Sequence, residues 1–302
     1  MRLRSKRVPT KRHSSQQEPI GYLMIAPFYL FLIFIVLVPV VMNVLLSLTD
    51  YDLRSMHFVG LRNYIALPQD IFFTTSVRNT IVYTFFTLLF SMGLGLAFAV
   101  VLNENIRGRR IFRTAIFIPF VTSMVAVSMI WLWIYDPSNG ILNVALSLFG
   151  IPKQQWLYDP NLAMASIIVM SIWKLLGYNM VVYLAGLQSI PAYLYEAAKI
   201  DGARFGRVFR SITFPLLSPV TFFLFVTGII SNFNVFEQVK VMTDGGPDNS
   251  TTTVVHQIYD RAFNNFQMGY GSAMAVVLLI VIAAITLVNF HFGEKGTDVG
   301  ID

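Results

Sequence analysis

The feature that most constrains this chain is a series of apolar runs, each long enough to cross a lipid bilayer. The hydrocarbon core of a bilayer is about 30 Å thick and needs about 20 helical residues to span it. Six runs meet this length: residues 20–48, 79–102, 114–135, 162–187, 214–236 and 272–292. Backbone polar groups in lipid must find partners within their own segment, so we expect each run to be a helix. The predicted fold is an all-α membrane protein with six transmembrane helices, numbered spans 1 to 6 in chain order.

The composition fits such a protein and argues against several other classes. Hydrophobic residues make up 55% of the chain and charged residues only 13%, whereas a soluble domain carries about 25% charged residues. The net charge of +6 could indicate a nucleic-acid partner. Because the basic residues lie in a tail and in short loops between apolar runs, we expect membrane lipid around the chain and no nucleic acid. The sequence has no cysteine, which excludes disulfides and thiolate metal sites.

The distribution of lysine and arginine predicts the orientation in the membrane. If the N-terminus is cytoplasmic, 15 of the 22 basic residues lie on the cytoplasmic side and six lie outside, with Lys174 in the membrane. Cytoplasmic loops carry the excess of positive charge, so both termini are predicted to be cytoplasmic. Residues 1–19 then form a basic, disordered tail, and residues 293–302 form a short cytoplasmic end.

Two further segments need separate interpretation. Span 1 follows the basic tail, as the apolar part of a signal peptide would. It is too long for that part and no small-residue cleavage site follows it, so we predict a retained anchor. Residues 141–151 are apolar but too short to span a bilayer. We predict that they form an interfacial or re-entrant piece outside span 3.

Motifs for catalysis are missing from the sequence. There is no G-x-x-x-x-G-K-[ST] for ATP phosphates and no H-E-x-x-H for a metal. We therefore predict a non-catalytic chain that binds no metal and no cofactor of its own. A secondary carrier usually has several carboxylates within the membrane, and Glu237, at the edge of span 5, is the only candidate. The energy for uphill transport is expected from another subunit, with a self-sufficient secondary carrier as the alternative.

The loop between spans 4 and 5, residues 191–213, is unlike the other loops, and we call it the Gly202 loop. Pro191 is followed by helix-forming residues, which favours a helix start, and Gly202 suits a helix end. Apolar residues then recur at helical spacing with arginines between them: Phe205, Val208, Phe209 and Ile212. We predict a helix, a glycine turn and a second amphipathic helix on the cytoplasmic side, able to receive force from a docked partner. The alternative is an interfacial helix whose arginines contact anionic lipid head groups.

Part of the Gly202 loop resembles a known signature. The E-A-A-x(3)-G motif of permease subunits in binding-protein-dependent ABC importers is matched by Glu196, Ala197, Ala198, Asp201, Gly202 and Ala203, followed by Ile212-Thr213-x-Pro215 and Pro219. Residues 184–191, the turn at 103–113 and the outer loop at 243–247 resemble the same family, so the resemblance covers about residues 20–292. The Gly-Gly-Pro of the outer loop is typical of the first permease of the maltose-transporter type. Asp244 departs from that pattern, since glycine or asparagine is commoner there.

The resemblance implies partners and roles. A second homologous permease forms a heterodimer with this chain, and two ATPase subunits, which bind ATP and Mg, each grip one such loop. An extracytoplasmic solute-binding protein delivers a sugar or sugar-like solute, so the chain is expected in a bacterial inner (cytoplasmic) membrane. The six signature residues are implied to couple the permease to its ATPase, with ordinary surface charge as the alternative for Glu196 and Asp201. Gly245, Gly246 and Pro247 are implied to contact the binding protein, with a plain hairpin connection as the alternative.

Lys174 is the one charged residue near the centre of a span. It lies about twelve residues from either end of span 4, which is about 18 Å of helix and farther than a lysine side chain can snorkel. A charge at the bilayer centre costs roughly 2.5–3.5 kcal/mol on insertion scales. We therefore expect Lys174 to face a wet cavity or an acidic partner. Two interpretations stay open: an ion pair with Glu237, or donation of hydrogen bonds to solute hydroxyls.

The other candidates for a solute path are aromatic and amide side chains. Aromatic rings stack on the apolar faces of sugars while their polar tips bond hydroxyls, and an asparagine deep in a span is costly unless hydrogen-bonded. The resemblance implies that the stretch around Lys174 lines the sugar site. The candidates are Trp173 and Tyr178 in span 4, Asn232, Asn234 and Phe236 with Glu237 in and beside span 5, and Phe120 and Met124 in span 3. Side-chain packing and interhelical hydrogen bonds are the alternatives.

Overall fold

A computed structural model describes residues 17–297, and these residues form helices and no β-strand. The predicted basic tail up to residue 16 and residues 298–302 lie outside this part. Four continuous helices are long and apolar enough to cross a membrane: Gly21–Ser47 (span 1), Ile71–Asn103 (span 2), Ala163–Ser189 (span 4) and Met268–Asn289 (span 6). The helix of span 6 continues to Thr297. Two bent helix pairs bring the number of candidate spans to six if each pair crosses once.

Span 3 is bent, and our expectation of one unbroken helix over residues 114–135 is corrected. Its two arms, Arg109–Val121 and Met124–Ile134, meet at an angle of 103°. Between them Thr122 and Ser123 are extended, with ψ of 146° and 138°. Pro119 lies in the last turn of the first arm. Proline has no N–H to bond the Ala115 carbonyl, so Pro119 weakens the turn that precedes it in this arm.

Span 5 is also bent, and the expectation of one unbroken helix over residues 214–236 is likewise corrected. Its arms, Phe205–Leu216 and Ser218–Phe233, meet at 61°. Pro215 and Pro219 lie on the two sides of the bend, where each removes a backbone donor. The first arm begins within the Gly202 loop, so the predicted amphipathic helix of that loop runs directly into span 5.

Span 2 begins earlier than its apolar run, because its first two turns are polar on one side and capped. Asp70 precedes the helix, and its carboxylate accepts a hydrogen bond from the backbone N–H of Phe72 at 2.9 Å. The same carboxylate accepts from the Arg261 guanidinium at 2.9 Å and from the Tyr270 hydroxyl at 3.0 Å. An acidic cap stabilises a helix start, and here it also joins the starts of spans 2 and 6.

The core of the bundle is formed by spans 2, 4 and 5. In the most apolar stretch of span 4, 56% of the residues are buried inside the chain, and in that of span 1 only 6% are buried. Span 4 is therefore central, and span 1 presents nearly its whole surface outward. Leu88 and Met92 of span 2, Tyr183 and Leu184 of span 4 and Leu224 of span 5 belong to one buried cluster.

The segment between spans 5 and 6 is packed against the bundle. It comprises the helix Glu237–Met242, a loop over residues 243–253 and the helix Val254–Tyr259. The Asn79 amide of span 2 donates to the backbone carbonyls of Asn249 and Thr252, both at 3.0 Å. The Gln238 amide donates to the Tyr83 hydroxyl at 2.7 Å, with both side chains buried. This outer segment is thus held by buried and partly buried polar contacts, which fix its position over span 2.

The short apolar run at residues 141–151 forms the helix Ile141–Leu148 and a turn after it. The Asn143 side chain is fully buried and anchors this hairpin. Its amide donates to the Gln154 carbonyl at 2.9 Å, and its oxygen accepts from the Trp156 indole N–H at 3.0 Å. The apolar residues Ile141, Val144, Leu148 and Phe149 remain exposed, as an interfacial helix requires.

Candidate solute cavity and Gly202 loop

A cavity of about 250 Å³ lies between spans 2, 3, 4 and 5. The Phe120 and Tyr178 rings, which form one wall, are stacked with centroids 4.8 Å apart and planes 22° apart. The lining residues are Leu88, Ser91, Phe120, Leu175, Tyr178, Asn179, Leu224, Thr227, Gly228, Ser231 and Asn232. The cavity thus combines aromatic and aliphatic surface with hydroxyl and amide groups, and none of the lining side chains carries a formal charge.

Three of the predicted path residues meet at this cavity: Phe120, Tyr178 and Asn232. Asn232 is buried, and its amide donates to the Gly228 carbonyl, one turn back in span 5, at 2.8 Å. That bond uses one of the two amide N–H groups and leaves the side-chain oxygen for another partner. The pairing meets the requirement that a buried asparagine be hydrogen-bonded.

Lys174 does not line this cavity, and it bonds to the backbone of span 3. Its ammonium donates to the carbonyl oxygens of Pro119 at 3.0 Å, Phe120 at 3.2 Å and Thr122 at 2.5 Å. The expected ion pair with Glu237 is not formed, since the ion pairs within residues 17–297 join other side chains. An ammonium has three N–H donors, and these three bonds use all of them. In this structure Lys174 therefore has no free N–H for the expected hydrogen bonds to solute hydroxyls.

The remaining path candidates lie away from the cavity lining. The Trp173 ring meets the Trp131 ring edge to face at 5.6 Å. Met124 begins the second arm of span 3 and packs against a separate buried cluster. Phe236 packs on the Tyr259 ring at 5.2 Å in the outer segment. Asn234 and Glu237 are exposed at the junction of span 5 with that segment.

Four polar lining residues were not among the predicted candidates: Ser91, Asn179, Thr227 and Ser231. Each is an uncharged polar residue inside an apolar span, which is the signal that could have identified them. Thr227 and Ser231 are four residues apart in span 5, and residues with this spacing share a helix face. Asn179 follows Tyr178 directly, and its side chain is buried against Gly95 of span 2.

The Gly202 loop contains the helix Ala192–Ile200, which ends in a left-handed turn at Gly202. Gly202 has φ of +71°, a conformation that costs other residues about 1–2 kcal/mol. The Ala203 N–H donates to the Ala198 carbonyl at 2.9 Å, and the Gly202 N–H donates to the Lys199 carbonyl at 3.1 Å. These two bonds form a Schellman motif, which closes the helix end and fixes the direction of the chain after it.

The Gly202 loop exposes large apolar side chains among its charged residues. Ile200 is 85% exposed and Phe205 is 71% exposed. Among the signature residues, Glu196, Ala197, Asp201 and Gly202 are exposed, Ala203 is half-buried and Ala198 is buried. The hydroxyls of Tyr195 and Thr213 are 3.2 Å apart, which ties the first helix of the loop to the first arm of span 5. The loop is therefore a defined knob with exposed apolar side chains beside small residues.

The outer loop places Gly245, Gly246 and Pro247 in a tight turn. Gly245 is buried with φ of +82°, while Gly246 and Pro247 are half-buried. Asp244 beside them is exposed, and its carboxylate accepts from the Lys240 ammonium at 2.6 Å and the His256 ring at 3.0 Å. These two hydrogen bonds hold the pKa of Asp244 below its ordinary value, so the carboxylate stays ionised. The departure of Asp244 from the family pattern thus adds a local polar network to the turn.

Comparison with known proteins identifies the family. Residues 90–293 match the family described as binding-protein-dependent transport system inner membrane component. A probable ABC transporter permease protein of Pyrococcus horikoshii is 36% identical over 288 residues, which cover 94% of this chain and 99% of that protein. The sn-glycerol-3-phosphate transport system permease protein of Agrobacterium fabrum is 37% identical, covering 82% and 84%. The arabinooligosaccharides transport system permease protein of Bacillus subtilis is 35% identical, covering 89% and 86%.

The fold agrees with this assignment. A chain of a bacterial ABC transporter involved in the import of the acidic polysaccharide alginate superposes with a TM-score of 0.84 at 24% identity, covering 94% of this chain and 98% of that chain. Because the match spans nearly the whole of both chains, the bent spans 3 and 5 belong to a fold already seen in a solved transporter. The chain therefore belongs to the family of inner membrane components of binding-protein-dependent transport systems, as a permease subunit of an ABC importer.

Proposed function

We propose that this chain forms half of the translocation path for a sugar or sugar-like solute and that separate ATPase subunits drive it through the Gly202 loop. The observation that carries the solute class is the cavity beside Phe120 and Tyr178. Its stacked aromatic rings offer apolar faces, and Ser91, Asn179 and Asn232 offer groups that bond hydroxyls. A sugar presents both kinds of surface.

The uncharged lining favours a neutral solute from this half of the path. Relatives of this chain are named for arabinooligosaccharides and for sn-glycerol 3-phosphate, so both neutral and anionic solutes occur in the family. A phosphate requires cationic or multiple N–H donors. Lys174, one turn of span 4 before Tyr178, has its three N–H groups engaged by backbone carbonyls. A neutral oligosaccharide is therefore the solute that this cavity fits best.

The Gly202 loop supports the coupling role. Its helix end is fixed by the Schellman motif at Gly202, and its exposed apolar residues Ile200 and Phe205 suit burial in a cleft of a partner. The tie between Tyr195 and Thr213 connects the loop to span 5. Movement of the docked loop would therefore move span 5, one wall of the cavity. In this arrangement the loop and both termini lie on the cytoplasmic side of a bacterial inner membrane.

The opposite end of the chain is proposed to face a solute-binding protein. A related importer of alginate has been solved in complex with an oligosaccharide-bound periplasmic protein. Here the turn at Gly245, Gly246 and Pro247 is held over span 2 by Asn79 and capped by the Asp244 network. A second homologous permease completes the path from the other side, and ATP with Mg is bound by the two ATPase subunits.

The test is ATP-driven uptake in proteoliposomes of defined composition. We expect the complex of both permeases, the ATPase and the binding protein to accumulate labelled neutral oligosaccharides with ATP. The same chain reconstituted alone is expected to accumulate none under a proton or sodium gradient. Labelled sn-glycerol 3-phosphate serves as the anionic comparison. Gradient-driven uptake by the single chain would contradict the proposal and establish a secondary carrier.

A further inference from the structure

The break in span 3 leaves backbone carbonyls without helical partners, and Lys174 donates hydrogen bonds to three of them. Where a helix ends, its last carbonyls lack helical partners, and within a bilayer no water is available to replace them. At the end of the arm Arg109–Val121, the Ile118 carbonyl accepts from the Thr122 hydroxyl at 3.1 Å. The Pro119, Phe120 and Thr122 carbonyls all accept from the Lys174 ammonium.

Every N–H group of the Lys174 ammonium has an acceptor at this break. An ammonium carries three N–H groups, and the three carbonyl oxygens lie 2.5–3.2 Å from the Lys174 nitrogen. Lys174 is only 6% exposed. A cation is also favoured at the C-terminal end of a helix, where the backbone dipoles concentrate negative charge. The hydrogen bonds to backbone carbonyls therefore account for the buried charge without a contact ion pair.

Two neighbours of Lys174 contact the same stretch of span 3. Gly177, three residues on, allows span 4 to approach the backbone of Phe117, and Tyr178, four residues on, stacks on the Phe120 ring. Positions separated by three and four residues share a helix face. The Phe120 carbonyl is thus bound by Lys174 while its ring is stacked on Tyr178 at the cavity wall.

We infer that Lys174 is a positioning residue of the solute path. Its ammonium holds the broken end of span 3 against span 4, sets Phe120 at the cavity wall, and does not contact the solute. This role gives a reason for a charge at the middle of a span that neither an ion pair nor a solute contact supplies. The inference deepens the proposed function and rests on it only for what passes through the cavity.

The test uses a spin label beside the break in the assembled transporter. Because the chain has no cysteine, Ser123→Cys gives a single labelling site on this chain, at the second residue of the bend. With Lys174→Met, which keeps the length and removes every donor, we expect the label to shift to a more mobile spectrum. Lys174→Arg, which restores a cation with several donors, is expected to reverse that shift. A label at Ala165→Cys, exposed near the start of span 4, is the matched control, and its spectrum should not change.

Function is measured on the same variants as ATP-driven uptake of the labelled oligosaccharides. We expect Lys174→Met to lower the maximal rate severalfold, because the broken end of span 3 and Phe120 lose their support, and Lys174→Arg to recover most of the rate. If Lys174→Met does not fold, Lys174→Gln, with two neutral donors, replaces it and should give an intermediate shift. An unchanged spectrum for Lys174→Met, or a failure of Lys174→Arg to reverse the shift, overturns the inference. Absence of ATP-driven uptake in the unmodified complex would overturn the proposed function, while the spectra would still decide the role of Lys174.

Discussion

Adding a single methyl group at residue 177 is expected to disrupt the contact between spans 3 and 4. A Cβ built on Gly177 collides with the Ile116 carbonyl oxygen and comes within 2.7 Å of the Phe117 Cα. Both are backbone atoms, so no side-chain rotation relieves the clash and the helices must separate. Overpacking of this kind costs about 1–3 kcal/mol, and separation also removes the Lys174 and Tyr178 contacts. We expect Gly177→Ala to lower the apparent melting temperature by roughly 5–10 °C, or to abolish folding.

Gly93→Ala is the matched control for this prediction. Gly93 lies inside span 2, and a Cβ built there meets nothing within 4 Å in this chain. Alanine is favoured over glycine in a helix by about 1 kcal/mol, so this variant should be neutral or slightly stabilised. The two purified variants are compared by thermal unfolding in detergent. Equal melting temperatures for Gly177→Ala and Gly93→Ala would show that spans 3 and 4 are not in the close contact described.

Loss of ATP-driven uptake is the expected result of Gly202→Val, even where the complex still assembles. The left-handed conformation at Gly202 is costly for a residue with a branched Cβ. The Schellman bonds of Ala203 and Gly202 to the preceding helix would be strained, and the knob would change shape. Because the change sits at the proposed contact with the ATPase, we expect uptake to fall by about tenfold or more, the effect of about 1.4 kcal/mol or more.

Two companion variants separate backbone shape from side-chain bulk. Gly202→Asn should retain most of the uptake, since asparagine tolerates the left-handed conformation better than other residues. Gly206→Val places the same side chain in the same loop at an exposed glycine without positive φ, where a Cβ meets nothing within 4 Å. It should also retain uptake. If Gly202→Val transports as well as Gly206→Val, the left-handed turn is not required for coupling.

Hydropathy predicts where the chain is helical and misses where the helices bend. The apolar runs predicted at residues 20–48 and 79–102 correspond to the continuous helices Gly21–Ser47 and Ile71–Asn103. The extended pair Thr122 and Ser123 lies within an apolar run, so hydropathy gives no sign that the helix breaks there. Pro119, Pro215 and Pro219 mark both bends, but proline in a membrane helix is compatible with a straight or kinked span. Which outcome applies depends on whether another helix supplies partners for the freed backbone groups.

The residues of the candidate site that could be predicted are those whose residue type alone suggests contact with a sugar. Aromatic and amide residues inside spans pointed to Phe120, Tyr178 and Asn232, which share the cavity. The role of Lys174 was not visible, because its partners are backbone carbonyls more than 50 residues away, and a backbone carbonyl is present at every position of any sequence. Only the three-dimensional position of the bend selects those three.

A photo-crosslink decides whether a separate ATPase subunit docks on the Gly202 loop and drives it. Ala197→Cys, exposed on the loop, is modified with a benzophenone reagent in the assembled complex, and the product is identified by mass spectrometry. Val169→Cys, exposed in the first half of span 4 and outside the Gly202 loop, is the control. We expect a crosslink from residue 197 to the ATPase subunit and none from residue 169. A loop at residue 197 that crosslinks only to lipid while the complex hydrolyses ATP would contradict it.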